Sequence, residues 1–275
     1  MMENNYRPQR AKITEIKAMS ANVKLLRLAP EVRFPLNDQG LVFVPGQFFL
    51  IGVWGYGEAP FGGASSPFER RFIDFGVRKV GTVTNVLHRL QKGDEVTLRG
   101  PYGNGFPLDF FEGKDVVMVT GGCGIPPIAS LVEYIAAQRA RFGNVYLLYG
   151  GATPNDLLFK DRYLHWEEKG IKVILTVDRP TPDWKGNVGL VSELTKEMRV
   201  NPLNAVAAMC GPGPMTKALE NILRPLGIAD RRIFVSEERK MSCGIGKCQH
   251  CTTGSRYVCK DGPVFNFDEV QGNWD

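Results

Sequence analysis

The stretch Asp115-Val116-Val117-Met118-Val119-Thr120-Gly121-Gly122-Cys123-Gly124-Ile125-Pro126-Pro127 passes from an apolar run into a glycine-rich turn. An unbroken apolar run before a turn is typical of a strand buried on both faces of a parallel sheet. A helical pattern follows over 128–141, with its apolar residues on one face. Glycines between a strand and a helix let the backbone approach a phosphate. The order is not G-x-G-x-x-G, however, and a plain tight turn would look the same.

The rest of 112–236 continues this alternation of strand and helix. Strands are expected at 145–149, 172–177, 205–209 and 233–235, and helices at 159–169, 191–198 and 215–226. Such alternation predicts a Rossmann-like domain with a parallel sheet. A second turn, Cys210-Gly211-Pro212, falls on the same edge of this sheet as Gly121, where ligands bind. Cys123 and Cys210 are expected to pack as small apolar residues rather than to act as nucleophiles.

The residues on either side of this domain follow different patterns. Residues 1–111 contain short strand-like runs separated by Gly/Pro turns, at 11–19, 23–28, 47–53, 71–77 and 95–99, with one short helix at 84–90. This pattern predicts a small antiparallel β-barrel. Residues 237–275 lose periodicity and contain four of the six cysteines. We therefore expect three parts, 1–111, 112–236 and 237–275.

The cysteines of the C-terminal part are spaced as metal ligands. Cys243, Cys248, Cys251 and Cys259 follow the pattern Cys-x4-Cys-x2-Cys-x7-Cys. The first three match the spacing of plant-type [2Fe–2S] ferredoxins. Gly244, Gly246 and Gly254 would allow the backbone angles that bring N–H groups close to the cluster. A structural zinc site is the alternative, but zinc sites usually combine two Cys-x2-Cys knuckles. His250 is expected to be exposed or to support a ligand.

The composition excludes several classes of protein. The chain has 275 residues, 43% of them hydrophobic, and a formal net charge of +5. Its Lys and Arg residues form no block of the kind that marks nucleic-acid binding. No apolar run reaches the roughly 20 residues of a membrane span. The first ten residues are polar, so a secretion signal is not expected and a cytoplasmic location is.

Taken together, the motifs resemble the ferredoxin–NADP reductase superfamily. The stretches Met241-Ser242-Cys243-Gly244-Ile245-Gly246-Lys247-Cys248 and Val258-Cys259-Lys260-Asp261-Gly262-Pro263-Val264-Phe265 carry the resemblance. They are similar to the FAD- and [2Fe–2S]-containing electron-transfer subunits of multi-subunit redox enzymes. These enzymes are cytosolic NiFe hydrogenases, in which the gamma subunit has this role, anaerobic sulfite reductase and dihydroorotate dehydrogenase.

The resemblance implies that FAD binds against the barrel. The family's Arg-Pro-x-Ser/Thr motif corresponds to Ala59-Pro60-Phe61-Gly62, in which Ala59 replaces the arginine and Gly62 the hydroxyl residue. Pro60, Phe61 and Gly62 are the implied flavin contacts. A second motif, Val77-Arg78-Lys79-Val80-Gly81-Thr82-Val83-Thr84, is better preserved. It implies contacts from Val77, Arg78, Gly81, Thr82, Val83 and Thr84, with Arg78 supplying the charge that Ala59 lacks.

The resemblance also implies a nicotinamide site. Gly121, Gly122, Gly124 and Ile125 correspond to the turn that binds the pyrophosphate. Cys210, Gly211 and Pro212 correspond to the turn beside the nicotinamide and the flavin ring. Residues 149–153 contain no basic side chain, which favours NAD over NADP. Arg179 and Lys160 are the basic residues that could reach a 2′-phosphate.

The implied function is electron transfer. NAD(P)H would reduce FAD, and single electrons would pass through the cluster on Cys243, Cys248, Cys251 and Cys259 to a partner subunit that carries further iron–sulfur clusters and the terminal catalytic site. No catalytic side chain is expected, because the cofactors supply the chemistry. A NiFe hydrogenase or sulfhydrogenase is the expected complex. The alternatives are anaerobic sulfite reductase or another redox complex, a stand-alone NAD(P)H–ferredoxin reductase, and a structural subunit with a zinc-bound tail.

Overall fold

The N-terminal sheet is antiparallel and closes on itself. The computed structural model describes residues 6–218 and 223–270. The strands of this sheet are β1 (Gln9–Ala18), β2 (Val23–Pro30), β3 (Phe48–Val53), β4 (Gly57–Gly62), β5 (Ile73–Arg78) and β6 (Glu95–Tyr102). Within the described residues they pair in the order β4-β3-β6-β1-β2-β5. A bridge between Gly63 and Phe75 joins the two edges, which confirms the predicted barrel. The sequence pattern missed β4, because its glycines and Pro60 are unusual in strands.

Strand β3 is buried on both faces, and each face serves a different core. Phe49 and Ile51 point into the barrel, where Phe49 contacts Phe75 edge-on at a centroid distance of 5.5 Å. Phe48 and Leu50 point outward and pack with the cysteine-rich segment. Because successive side chains of a strand alternate between its two faces, this one strand joins the barrel to the C-terminal part of the chain.

The second sheet is parallel except at one edge. Its strands are β7 (Asp115–Gly121), β8 (Val145–Gly151), β9 (Lys172–Val177), β10 (Asn187–Val188), β11 (Ala205–Cys210), β12 (Ile233–Ser236) and β15 (Val264–Asn266), while β13 (Thr252–Thr253) and β14 (Arg256–Tyr257) form a separate hairpin. Among the described residues the order is β10-β9-β8-β7-β11-β12-β15. The Rossmann-like sheet is thus confirmed. Its last strand comes from the cysteine-rich part and runs antiparallel to β12.

The helices are shorter than the sequence pattern predicts. They are α1 (Thr82–Leu87), α2 (Leu108–Phe111), α3 (Ile125–Ala137), α4 (Tyr163–Glu168), α5 (Gly213–Lys217), α6 (Val258–Asp261) and α7 (Phe267–Val270). The expected helix at 159–169 starts late because Phe159 has a φ of +58°, outside the right-handed helical region. The one at 191–198 is a 3₁₀ helix over Val191–Glu197. The one at 215–226 lies partly in 219–222, outside the described residues, and its described ends are α5 and the 3₁₀ turn Arg224–Leu226.

A buried ion-pair cluster joins the two sheets. Asp74 on β5 is 1% exposed, and its carboxylate accepts hydrogen bonds from Arg27 at 2.8 Å and from Arg162 at 2.6 Å. Arg162, next to α4, also donates to the carbonyl oxygen of Ala64. Since a buried carboxylate needs such partners, Asp74 holds the barrel and the parallel sheet in one arrangement.

The switch between the two sheets falls between Tyr102, the end of β6, and Asp115, the start of β7. The boundaries after residues 111 and 236 stay predictions. Across the described residues we find no helix with both the length and the apolar character that a membrane crossing requires.

Candidate functional site

Two turns at the carboxyl ends of neighbouring strands lie in direct contact. In the parallel pairing of β7 with β11, Thr120 lies beside Cys210, so the turns that follow both strands meet at one edge of the sheet. A Cβ atom placed on Gly124 would lie 2.3 Å from the carbonyl oxygen of Cys210. This contact is far closer than non-bonded atoms approach. The close packing of the two turns therefore depends on a glycine at position 124.

The first turn is also held by a buried tyrosine on the neighbouring strand β8. The Tyr149 hydroxyl donates a hydrogen bond to the carbonyl oxygen of Gly122 and accepts one from the N–H of Leu158. Gly122 has a φ of +52°, in the left-handed region that favours glycine. Helix α3 begins directly after the turn, so its unpaired N–H groups and positive dipole end face this edge of the sheet. This arrangement suits an anion such as a pyrophosphate.

A cavity of about 440 Å³ lies between the barrel, the two turns and the segment that leads to the cysteines. Its volume is in the range of small-molecule sites, about 300–1,000 Å³. The barrel contributes Ala59, Pro60, Phe61 and Gly62 from β4. The cavity thus brings the predicted flavin strand and the predicted nicotinamide turns to one place.

Small residues allow the barrel to approach α3 closely at this cavity. A Cβ atom on Gly62 would lie 3.1 Å from Cβ of Pro127, and one on Gly76 would lie 2.8 Å from Cγ of Pro126. Gly62 therefore packs against the helix at the position where the family motif has a hydroxyl residue. The glycine at this position fits the tight contact, because a side chain there would require Pro127 to shift by a few tenths of an ångström.

Ionisable groups from three parts of the chain face the cavity. Arg78 at the end of β5, Cys123 in the first turn and Glu238 after β12 all line it. Burial raises the pKa of the Glu238 carboxyl, and the Arg78 cation opposes that rise. Burial also raises the pKa of the Cys123 thiol to about 11. Cys123 is consequently a neutral thiol at physiological pH, as expected for a packed rather than a nucleophilic cysteine.

The start of α1 lies at the barrel side of the same cavity. The Thr84 hydroxyl accepts hydrogen bonds from the N–H groups of Val80 and Gly81, at 2.9 and 2.8 Å. This fixes the chain as it enters the helix. The N–H groups of Thr82 and Val83 belong to the first helical turn, which has no intrahelical acceptor for them. They are therefore suited to a phosphate oxygen.

The predicted cofactor-binding residues divide into two groups. Those on the cavity wall are Pro60, Phe61, Gly62, Arg78, Thr84 and Cys210. Those beside or behind the wall are Val77, Gly81, Thr82, Val83, Gly121, Gly122, Gly124, Ile125, Gly211 and Pro212. Val77 and Ile125 are fully buried, so only their backbone atoms could meet a cofactor.

The cysteine loop presents backbone N–H groups to its sulfur atoms. The Gly246 N–H donates to Sγ of Cys259 at 2.9 Å, and the Lys247 and Cys248 N–H groups donate to Sγ of Cys243 at 3.2 and 3.4 Å. Burial opposes ionisation of Cys243, but the backbone N–H donors to its sulfur, from Ile245, Cys248 and Lys247, outweigh burial and lower the pKa of its thiol. Such N–H···S bonds stabilise thiolates in iron–sulfur sites.

The glycines of the loop adopt the conformations that the sequence pattern predicts. Gly244, Gly246 and Gly254 have φ values of +75°, +74° and +54°. A Cβ atom on Gly246 would lie 2.9 Å from Cδ of Lys260. Because φ is positive at Gly246, a residue with a side chain there would strain the backbone that carries the N–H donor to Cys259.

The four cysteines associate in two pairs. The Cys248 N–H donates to Sγ of Cys243 at 3.4 Å, and the Cys259 N–H donates to Sγ of Cys251 at 3.5 Å. Within the described ranges, no three His, Cys, Asp or Glu side chains surround one point closely enough to hold a single metal ion. Two pairs with N–H donors are the ligand arrangement of a two-iron cluster, in which each iron takes two thiolates. The residues present therefore fit a [2Fe–2S] cluster.

Two side chains separate this loop from the cavity. Phe48 and Met241 line the cavity, and both pack in the apolar group that contains Cys251 and Cys259. Phe48 is 4% exposed, so it fills the space between the two sites. Phe48 and Met241 thus form a layer of apolar side chains between the predicted flavin pocket and the predicted cluster.

Sequence reasoning missed the residues that connect these sites. Glu58 and Arg99 form a bidentate ion pair, and Arg99 also reaches the carbonyl oxygen of Cys243 at 3.4 Å. Glu237 is buried at the cavity wall beside Arg239, at 3.5 Å. No pattern in the sequence pairs Glu58 with Arg99. For Glu237 and Arg239, the position just before the cysteine motif was the sequence signal that could have indicated a place near the site.

Family models match all three parts of the chain. The oxidoreductase FAD-binding domain matches residues 10–106, and the oxidoreductase NAD-binding domain matches 118–221. The iron–sulfur cluster binding domain of dihydroorotate dehydrogenase B matches residues 238–271. Together with the cavity and the cysteine loop, these matches define an oxidoreductase with FAD-, NAD- and iron–sulfur-binding domains.

Curated proteins and one solved structure are similar to this chain over about nine tenths of its length or more. The chain is 37% identical to the sulfhydrogenase 1 gamma subunit of Pyrococcus furiosus, covering 98% of this chain and 94% of that subunit. It is 33% identical to a probable dihydroorotate dehydrogenase B electron transfer subunit of Thermococcus kodakarensis, covering 89% and 94%. A solved NADH-dependent reduced ferredoxin–NADP oxidoreductase shares the fold, with a TM-score of 0.74, 22% identity and coverage of 96% and 92%.

The chain therefore belongs to the ferredoxin–NADP reductase-like family whose members carry an iron–sulfur binding domain, together with the sulfhydrogenase gamma subunits and the dihydroorotate dehydrogenase B electron transfer subunits.

Proposed function

We propose that this chain is the electron-transfer subunit of a multi-subunit redox complex, which moves electrons between NAD(P)H, FAD and a [2Fe–2S] cluster. The observation that carries the proposal is the layer formed by Phe48 and Met241. One cavity collects the flavin and nicotinamide motifs, and the cysteine loop lies directly behind this layer. Three carriers can then follow one another in the order nicotinamide, flavin, cluster.

The role of the chain's own residues is to bind and orient the nicotinamide and FAD. The turns at Gly122 and Cys210, packed together through Gly124, would position the nicotinamide against the cavity, and Pro60, Phe61 and Gly62 would form the flavin wall opposite. Arg78 and the first turn of α1 would hold the phosphates of FAD. When bound, FAD supplies the conversion of a two-electron hydride donor into single-electron transfers. No side chain is needed as an acid or base.

The proposed cluster ligands are Cys243, Cys248, Cys251 and Cys259. Their arrangement in two pairs and the N–H groups that donate to their sulfur atoms support this assignment.

We propose NAD as the preferred nicotinamide, because residues 149–153 carry no basic side chain. Arg179 is the residue that would admit NADP. It directly follows Asp178 after β9, and its backbone N–H donates to the carbonyl oxygen of Ala152 at this edge of the sheet.

A hydrogenase-type complex is the proposed setting, supported by the identity to the sulfhydrogenase gamma subunit over almost the whole chain. Its other subunits would carry further iron–sulfur clusters and the terminal catalytic site. A cytoplasmic location belongs to the same proposal and is supported by thiols that are clustered for metal binding rather than bridged.

Replacing one ligand tests the order of the carriers. In the purified chain, Cys248→Ser should leave NADH-driven bleaching of the flavin absorbance unchanged and remove the reduced [2Fe–2S] EPR signal. In the complex with its partner subunits, it should also remove electron delivery to the partner. Lys247→Ala, at the exposed neighbouring position, is the control and should retain all three. Loss of flavin reduction in a folded, FAD-loaded Cys248→Ser protein would contradict the order. A colourless wild-type protein with one bound zinc would contradict the function.

A further inference from the structure

A buried arginine lies against the backbone of the first cluster cysteine. Arg99 on β6 is 7% exposed. Its Nη1 donates to the carbonyl oxygen of Cys243 and contacts the hydroxyl of Tyr102, both at 3.4 Å. The peptide that follows is packed as well, since a Cβ atom on Gly244 would lie 2.8 Å from Cδ1 of Leu50. The barrel therefore contacts the cysteine loop closely at Cys243 and Gly244.

The guanidinium is held by one carboxylate. Nε of Arg99 contacts Oε1 and Oε2 of Glu58 at 3.0 and 3.1 Å, and Nη2 contacts Oε2 at 2.5 Å. Glu58 lies on β4, directly before the flavin-strand residues that begin at Ala59. Glu58 pairs with Gly52, while Leu50, two residues before Gly52, pairs with both Pro60 and Arg99. Because side chains of a strand alternate between its faces, Glu58 and Arg99 lie on the outward face of the barrel that Leu50 shares. The pair thus connects the cavity strand to the cysteine loop.

The arrangement places a cation nearer to the cysteine loop than its counter-ion. Arg99, not Glu58, touches Cys243, and the site is largely closed to water. In such a site a unit charge about 10 Å from a redox centre changes its oxidised-to-reduced ratio by roughly tenfold at an effective dielectric constant near 20. When a [2Fe–2S] cluster accepts one electron it gains one negative charge, which a neighbouring cation stabilises and a neighbouring anion destabilises.

We propose that Arg99 is a positioning residue for the cluster, which holds the Cys243 carbonyl and raises the reduction potential of the cluster, and that Glu58 orients Arg99 and moderates this effect. The inference rests on the proposed [2Fe–2S] site. It implies that the barrel, and not the cysteine loop alone, adjusts how readily electrons leave the flavin.

The test is a redox titration of the full chain with bound FAD and cluster, followed by EPR. Arg99→Gln removes the cation, so the midpoint potential of the cluster should fall. At a fixed solution potential, the fall should correspond to about a tenfold increase in the ratio of oxidised to reduced cluster. Glu58→Gln removes the anion and leaves the cation, so the potential should rise. Arg99→Lys keeps the charge and should stay close to wild type. Arg71→Gln, which breaks an exposed barrel ion pair with Glu69, is the matched control and should not move the potential.

The two Gln variants should shift the midpoint potential in opposite directions. This contrast separates an electrostatic effect on the cluster from structural damage to the cysteine loop. Disruption of the loop would shift both Gln variants in one direction and broaden their EPR signals, which would overturn the proposal. Equal potentials in all variants with an intact signal would overturn it as well and leave the proposed function standing. A wild-type chain without a [2Fe–2S] signal would overturn both. If Glu58→Gln does not fold, the contrast between Arg99→Gln and Arg99→Lys still decides.

Discussion

The contact between the two turns gives the sharpest test of the nicotinamide site. In Gly124→Ala the new methyl group would lie 2.3 Å from the carbonyl oxygen and 2.6 Å from the carbonyl carbon of Cys210. Both obstacles are backbone atoms, so no side-chain rotation relieves the clash and one turn must move. Overpacking of this kind typically costs about 1–3 kcal/mol. For a chain of this size that corresponds to a fall in the melting temperature of roughly 2–12 °C.

The same displacement should weaken nicotinamide binding, because the two turns form the site together. We expect the NADH dissociation constant of Gly124→Ala to rise at least tenfold, measured from the NADH dependence of flavin reduction in rapid mixing. Flavin content should be retained. Gly150→Ala is the stability control, since its Cβ atom would meet ordinary contacts at 3.5 Å. A Gly124→Ala protein with wild-type melting temperature and NADH affinity would refute this account of the site.

Two further predictions concern selectivity and reactivity. Arg179→Ala should lower the affinity for NADPH several-fold and leave that for NADH unchanged, because only NADPH has a 2′-phosphate for the cation to meet; equal losses for both nucleotides in steady-state kinetics would refute a role in selectivity. Burial raises the pKa of the Cys123 thiol to about 11, so the thiol is protonated below that pH. Because only the thiolate reacts, the rate of Cys123 alkylation should rise about tenfold per pH unit from pH 8 to near 11, as followed by mass spectrometry. Free cysteine, with a pKa of about 8.5, serves as the reference. A rate at Cys123 that levels off by pH 9 would contradict the burial argument.

Local sequence determined the features that depend on short stretches of chain. The apolar run before Gly121 specifies a buried strand, because only such a strand is covered on both faces. The spacing of Cys243, Cys248, Cys251 and Cys259 specifies a loop with four thiols, and Gly246 specifies the left-handed turn within it. These features need no knowledge of distant residues.

Tertiary structure decided everything that depends on two distant segments meeting. Gly62 looks like a defect in a flavin motif until Pro127 is seen against it. The pairing of Glu58 with Arg99, 41 residues away in the chain, has no local signal because it depends on how β4 and β6 flank β3. Strand β15 was likewise unrecognised, since three residues carry too little pattern to reveal their sheet.

The cysteine loop shows the division most clearly. Its sequence alone predicts the ligands, because thiol spacing and glycine conformations are local properties. Its place behind Phe48 and Met241 came only from the fold. Strand β3 buries one face in the barrel and the other against the loop, and β15 anchors the loop to the parallel sheet. Long-range packing of this kind sets the distance from cavity to cysteines, and no short stretch of sequence encodes it.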